Sequence, residues 1–206
     1  MQLILKYFPT LTDEQRQQME VLDALYHDWN SKINVISRKD IDNLYEHHVL
    51  HSLAIAKFVR WTDGTEVMDL GTGGGFPGIP LAIMYPGVHF HLVDSIGKKI
   101  RVCQEVSAAL GLRNVTTEWG RAEAVKRSFH FVVSRAVMPL TDLAKAVQGK
   151  IRRDTSCNMA GGLICLKGGE LEHEVMPTRG AAQITPLTDY FEEPFFETKK
   201  LVYLPM

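Results

Sequence analysis

Residues 69–80, "DLGTGGGFPGIP", constrain this chain more than any other stretch. An apolar run, "EVMDLG", leads into them, and an apolar helical pattern, "FPGIPLAIMY", leads out. Backbone freedom is therefore concentrated at a joint between strand and helix. Glycine there permits positive φ, lets a ligand come close to the backbone, and leaves amide hydrogens clear at the start of a helix. In open α/β sheets this first turn lies at the carboxyl edge, where ligands bind. A nucleotide-like ligand is the natural occupant.

The rest of the chain supplies the sheet that such a turn needs. Short apolar runs recur from Glu66 onward: "EVMDLG", "HFHLVD", "NVTTEW", "FHFVVS", "GLICLK", "QITPL" and "KKLVYL", with helical stretches between most of them. Strands buried on both faces and alternating with helices predict a doubly wound, mostly parallel sheet of the Rossmann-like kind. Before it, "TDEQRQQMEVLDALYHDW" opens with a capping box, Thr12 with Gln15, and repeats apolar residues at Met19, Leu22, Tyr26 and Trp29. These aromatic and methionine positions read as core. A second helix is expected from about Asp40 to Val59, and "GKIRRDTSCNMAGG" reads as an exposed connection. The expected organisation is a helical N-terminal extension, residues 1–62, packed on a core at residues 63–206. With 206 residues, 45% of them hydrophobic, the chain can bury one sizeable core.

Charge and cysteines exclude some classes. A formal net charge of -1 carries no global signature for a polyanion, so a nucleic-acid partner must be argued from local patches. Three cysteines without a C-x-x-C pair fit a reducing compartment. The start, "MQLILKYFPTLTDEQ", lacks a basic n-region and a long apolar h-region, and no run reaches the roughly 20 apolar residues that span a bilayer. We expect a cytoplasmic protein with no membrane partner, and a monomer. His47 and His51 have chelating spacing, but no third ligand accompanies them, so no metal site is expected.

Gly73, Gly75 and Gly78 satisfy G-x-G-x-x-G, which alone does not distinguish a dinucleotide from S-adenosyl-L-methionine. Asp69 favours the second, because a carboxylate two residues before Gly71 suits the cationic methionine end of that cofactor and would repel a pyrophosphate. No tyrosine is followed four residues later by lysine, so the usual short-chain dehydrogenase pair is missing. Asp94, ending the second strand, can accept hydrogen bonds from ribose hydroxyls of either ligand. The expected cofactor contacts in these stretches are Asp69, Gly71, Thr72, Gly73, Gly75, Phe76, Asp94 and Ser95. An NAD-dependent oxidoreductase, a methyltransferase for another RNA, a small molecule or a protein, and a noncatalytic nucleotide-binding module remain alternatives.

The motifs "VMDLGTGGGFPGIPLAI", "LVDSIGKKIRVCQEV", "GRAEAV", "VVSRAV" and "LKGGELEHE", preceded by "WNSKINVIS" and "HHVLHSL", resemble the bacterial small-subunit ribosomal RNA guanine-N7 methyltransferases, the glucose-inhibited division protein B family. The resemblance runs from about Trp29 to the C-terminus and includes the N-terminal helices. The P-G-I-P and D-S-x-x-K-K runs are narrower signals than the glycine turn. The resemblance implies a class I S-adenosylmethionine-dependent methyltransferase fold of seven strands. It also implies methylation of the N7 position of one guanine in 16S ribosomal RNA, presented as RNA or as the small ribosomal subunit particle. By resemblance, Gly71, Phe76, Ala122, Glu123 and Arg135 line the cofactor site. The chain departs from the family at His47 to Ser52, "HHVLHS", where many members read R-H-x-x-D-S, so no role of that arginine and aspartate carries over.

Guanine N7 carries a free lone pair, so the reaction needs positioning rather than a general base. Arg135 and Lys167 each end an apolar strand, and long cations at a carboxyl edge suit phosphate, guanine O6 or a cofactor carboxylate; an ion pair with a nearby acid is the other reading of both. Lys98, Lys99 and Arg101 begin the helix after Asp94, where the macrodipole disfavours cations. RNA phosphates at the mouth of the crevice would offset that cost.

Overall fold

The computed structural model describes residues 1–206 except Ala136, Arg153, Thr155, Ser156 and Asn158. The strands are β1 Glu66–Leu70, β2 His89–Asp94, β3 Val115–Trp119, β4 Phe131–Arg135, β5 Gly162–Gly168, β6 Gln183–Pro186 and β7 Lys199–Pro205. They form one sheet in the order β3-β2-β1-β4-β5-β7-β6. β1 to β5 pair in parallel, while β7 runs antiparallel to both β5 and β6. The order reverses between β1 and β4, and that switch point is where an open α/β sheet splays its crossovers and leaves a crevice.

Period-two alternation sends successive side chains to opposite faces, and in the central strands β1, β4 and β5 both faces are buried. Val67, Phe131, Val133, Ile164 and Leu166 join one hydrophobic cluster; Met68, Leu70, Val132, Leu163 and Cys165 join the other. The first cluster also takes in the N-terminal helices, α1 Gln2–Tyr7, α2 Asp13–Lys32 and α3 His51–Phe58, through Ile4, Met19, Leu22, Tyr26 and Leu53. On the sheet it is covered further by α4 Gly78–Met84 and α5 Gly97–Ala109. The second cluster is covered by α6 Leu140–Ala146, beside the short α7 Glu172–Val175.

The capping box at Thr12 and Gln15 is formed, and the Gln15 amide also donates to the carbonyls of Ile83 and Met84, each at 3.0 Å. One side chain thus fixes the start of α2 and satisfies the free carbonyls at the end of α4. The helix expected over residues 40–59 is not uniform: a 3-10 turn at Ile41–Asn43 and a wide π turn at Leu44–Leu50 precede α3. Such insertions mark places where side-chain contacts override helix geometry, and here His47 and His48 both turn toward Asp40. The expected exposed connection over residues 149–162 falls partly outside the described residues; within it, Ile151 bridges to Phe129 and Gly161 is buried.

Candidate functional site

The turn between β1 and α4 is held from four directions. The amides of Gly71 and Thr72 donate to Val93 O at 2.8 and 3.0 Å, joining the ends of β1 and β2. The amide of Gly73 donates to Asp94 Oδ2 at 2.9 Å, while Asp94 Oδ1 accepts from Ile96 N at 2.9 Å. From α2, the Tyr26 hydroxyl donates to Gly74 O at 2.6 Å. From α5, Cys103 Sγ donates to Gly73 O at 3.4 Å. Gly71 and Gly73 have φ of +70° and +59°, which other residues rarely adopt.

A cleft of about 540 Å³ opens over this carboxyl edge, within the range that small-molecule sites occupy. Gly71, Thr72, Gly73, Phe76, Asp94, Ser95, Ala122, Glu123 and Arg135 all line it. A Cβ built on Gly73 meets nothing within 4 Å, because it points into that open space. Each carboxylate oxygen of Asp94 accepts one amide and retains a lone pair for a further donor.

Three expected cofactor or positioning residues do not line the cleft. Asp69 shares the face of Val67, so alternation turns it under α4, where its Oδ2 accepts from Thr72 Oγ1 at 2.6 Å and from Gly78 N at 2.8 Å. It braces the turn from behind. Its Oδ1 has no hydrogen-bond partner among the described residues, and burial pushes the carboxyl up to about 7 against the pull of those two donors. Gly75 is needed for packing: a Cβ there would lie 2.4 Å from the Ile79 side chain, and its φ is +103°. Lys167 shares the face of Leu163 and Cys165, which directs it to α7; it pairs with Glu174 Oε2 at 2.6 Å and donates to Met138 O at 2.8 Å.

Arg135 shares the face of Val133 and lines the cleft from the end of β4, on the other side of β1 from Asp94 at the end of β2. Its guanidinium lies 5.2 Å from the Phe76 ring centroid, donates from Nη1 to His47 O at 3.0 Å, and donates from Nη2 to His48 Nδ1 at 3.0 Å. A guanidinium only donates, so His48 Nδ1 must accept and the imidazole proton sits on Nε2, facing Asp40 Oδ2 at 2.6 Å. Burial and the adjacent Arg135 push His48 down to about 4, which keeps it neutral. Burial would raise Asp40, but its hydrogen bonds with His47 and His48 hold it below the ordinary carboxylate value. Burial likewise pulls Arg135 down to about 10, opposed by the nearby Asp69, and it stays charged at neutral pH. The two bonds leave guanidinium donors available to an anion in the cleft.

Of the three expected RNA contacts, Lys99 lines the cleft, while Lys98 and Arg101 are exposed beyond it on α5. Sequence reasoning missed Val35, Ile96, Val137 and Met138 in the cleft wall, and the Tyr26 and Asp40–His48 braces behind it. Tyr26 carried one signal: a buried hydroxyl must find a partner. Among the described residues no group of three or more His, Cys, Asp or Glu side chains could hold a metal.

The antiparallel β7 inserted beside β5, the glycine turn after β1 and the acid ending β2 define a Rossmann-like protein of the class I S-adenosylmethionine-dependent methyltransferase fold. A solved SAM-dependent methyltransferase from Aquifex aeolicus matches with a TM-score of 0.55, covering 82% of this chain and 97% of that one at 15% identity, a likeness of fold alone. The chain belongs to the rRNA small subunit methyltransferase G family, whose profile matches residues 15–200. It is 64% identical over 203 residues to the Ribosomal RNA small subunit methyltransferase G of Bacteroides thetaiotaomicron, covering 98% of each chain. The protein of the same name from Bacteroides fragilis is 62% identical over 204 residues, covering 99% of each.

Proposed function

We propose that this protein transfers the methyl group of S-adenosyl-L-methionine to N7 of a guanine in 16S ribosomal RNA, acting as a monomer in the cytoplasm on the RNA or the small-subunit particle. The observation that carries the reading is one cleft lined by both Asp94, at the end of β2, and Arg135, at the end of β4, on either side of the glycine turn after β1. The Asp94 lone pairs suit the ribose hydroxyls, and the free donors of Arg135 suit a carboxylate. Ala122 and Glu123, on the turn after β3, would bracket the adenine. Family membership and the names of the relatives supply the RNA. No helix among the described residues is long and apolar enough to cross a membrane.

The cofactor supplies an electrophilic methyl group: the N7 lone pair forms the new N–C bond while the S–C bond breaks and its electron pair returns to sulfur. The protein then has to align the two atoms and exclude water. Arg135, pinned by His47 O and His48 and stacked on Phe76, is held rigidly enough to fix the methionine end. No side chain need take a proton in the transfer step, since N7 has none.

The test is incubation of the protein with methyl-labelled cofactor and small-subunit RNA or particles from a strain lacking the family member. Label should appear at N7 of a single guanine. Label on another RNA, or none on RNA with a folded, cofactor-binding protein, would refute the substrate; binding of NAD in place of S-adenosylmethionine would refute the reaction.

A further inference from the structure

Trp119 ends β3, an outer strand of the sheet, and is 72% exposed, more than any other large hydrophobic side chain among the described residues. The ring is nevertheless fixed. Its Nε1–H donates to Ser95 O at 3.1 Å, and its inner face lies on Gly97, where an added Cβ would come within 3.2 Å of the ring atoms. Ser95, Ile96 and Gly120 line the cofactor cleft but Trp119 does not, so the indole stands on its outer rim. Ile96, at 47% exposure, is the other exposed apolar side chain in this segment.

Cations flank the ring in sequence on both sides. Lys98, Lys99 and Arg101 follow Gly97, and Arg121 comes two residues after Trp119. The first turn of α5 holds no acid to balance its lysines. Glu118 is turned toward His91 at 3.1 Å, and Glu123 faces the cleft. A protein partner would need a wider apolar surface than one ring and one isoleucine. A flat, prefixed aromatic face beside cations that form no ion pair among the described residues instead matches the chemistry of an unstacked base with its phosphates.

We propose that the outer face of Trp119 is a stacking platform for an unpaired nucleotide of the RNA substrate, flanking the target guanine, with the adjacent phosphates met by Lys98, Arg101 and Arg121. This inference rests on the RNA reading above. Because the indole is already held by Ser95 and Gly97, stacking on it costs little side-chain ordering.

The test uses the full chain as wild type, Trp119→Ala and Trp119→Phe, with a hairpin of small-subunit RNA and the same hairpin carrying single abasic sites through its loop. Trp119→Ala should weaken hairpin binding roughly ten-fold, and Trp119→Phe should retain most of it. The affinity for S-adenosylmethionine should not change in either. One abasic position should weaken the wild type by the same factor and cost the Ala variant nothing more. Equal hairpin binding by wild type and Trp119→Ala, or abasic losses undiminished in the variant, would overturn the platform. So would a wild type that sediments as a dimer and a Trp119→Ala variant that does not, which would make the ring a contact between copies. A wild type that binds S-adenosylmethionine but neither binds nor methylates ribosomal RNA would overturn the RNA reading itself, and the platform with it.

Discussion

The amide of Gly73 donates to the carboxylate of Asp94 at 2.9 Å, so the glycine turn after β1 is latched to the end of β2. The latch makes the two halves of the cleft floor one unit. The same carboxylate lines the cleft, where we propose that it holds the ribose. Asp94→Ala should therefore weaken S-adenosylmethionine binding by about 1–3 kcal/mol, through lost hydrogen bonds to ribose and a loosened turn. Calorimetric titration checks this, and an affinity within error of wild type would place the ribose elsewhere.

A side chain at Gly73 should be costly for two separable reasons. Its φ of +59° costs a residue with a Cβ about 1–2 kcal/mol, and a β-branched one more. The open space that the Cβ would enter is the cleft. Gly73→Ala should fold with reduced stability and weakened cofactor binding, and Gly73→Val should bind none. Equilibrium dialysis with labelled cofactor on the folded variants decides it; undiminished binding by Gly73→Val would remove the turn from the site.

Asp69 predicts a pH dependence with a definite sign. Its folded value of about 7 lies above the ordinary 3.8, so across that window the folded protein keeps a proton that the unfolded chain has released. Stability from this group is present at low pH and lost as pH rises toward 7. His48 acts oppositely: its folded value of about 4 lies below 6.5, so its contribution is lost as pH falls through that interval. Asp69→Asn isolates the first effect while keeping an acceptor for Thr72 and Gly78. Urea unfolding without cofactor from pH 5 to 8 should show the stability of wild type relative to Asp69→Asn declining with pH, and a constant difference would contradict the assignment.

Lys98 and Arg101 stand at the positive end of α5 and outside the cleft, whereas Lys99 lines it. Replacing Lys98 and Arg101 with glutamate should hold or raise thermal stability, by a few tenths of a kcal/mol per charge for residues in the first turn. Cofactor affinity should stay constant. Methyl transfer to ribosomal RNA should fall and depend less steeply on salt. Transfer matching wild type at every salt concentration would make these residues a solvated face.

Lys167 lies outside the cleft and is paired with Glu174. Lys167→Met would leave Glu174 without its cation, although Glu174 is partly exposed and still accepts from Leu140 N at 2.9 Å. The expected loss is about 1 kcal/mol of stability, with methyl transfer retained at saturating substrates. A collapse of transfer with unchanged thermal stability would return Lys167 to the site.

The sequence alone determined the seven strands, the glycine turn and the acid ending β2, because these are local: a short strand pattern bounded by turns and a glycine at positive φ depend on near neighbours in the chain, although the outer strands β3 and β6 carry no buried residue. The capping box at Thr12 was legible for the same reason. Tertiary structure alone decided which way charged strand-end residues face. Asp69, Arg135 and Lys167 look alike in sequence, each a charge at the end of an apolar run, yet Asp69 and Arg135 share the face of Val67 and Val133, where Asp69 lies beneath α4 and Arg135 lines the cleft, while Lys167 is on the opposite face against α7. Which face carries the cleft depends on helices packed from elsewhere. Arg135 meets His48 across 87 positions and Tyr26 meets Gly74 across 48. No local propensity encodes such contacts; they exist only once the N-terminal helices close over the sheet and a buried donor must take the acceptor that packing brings to it.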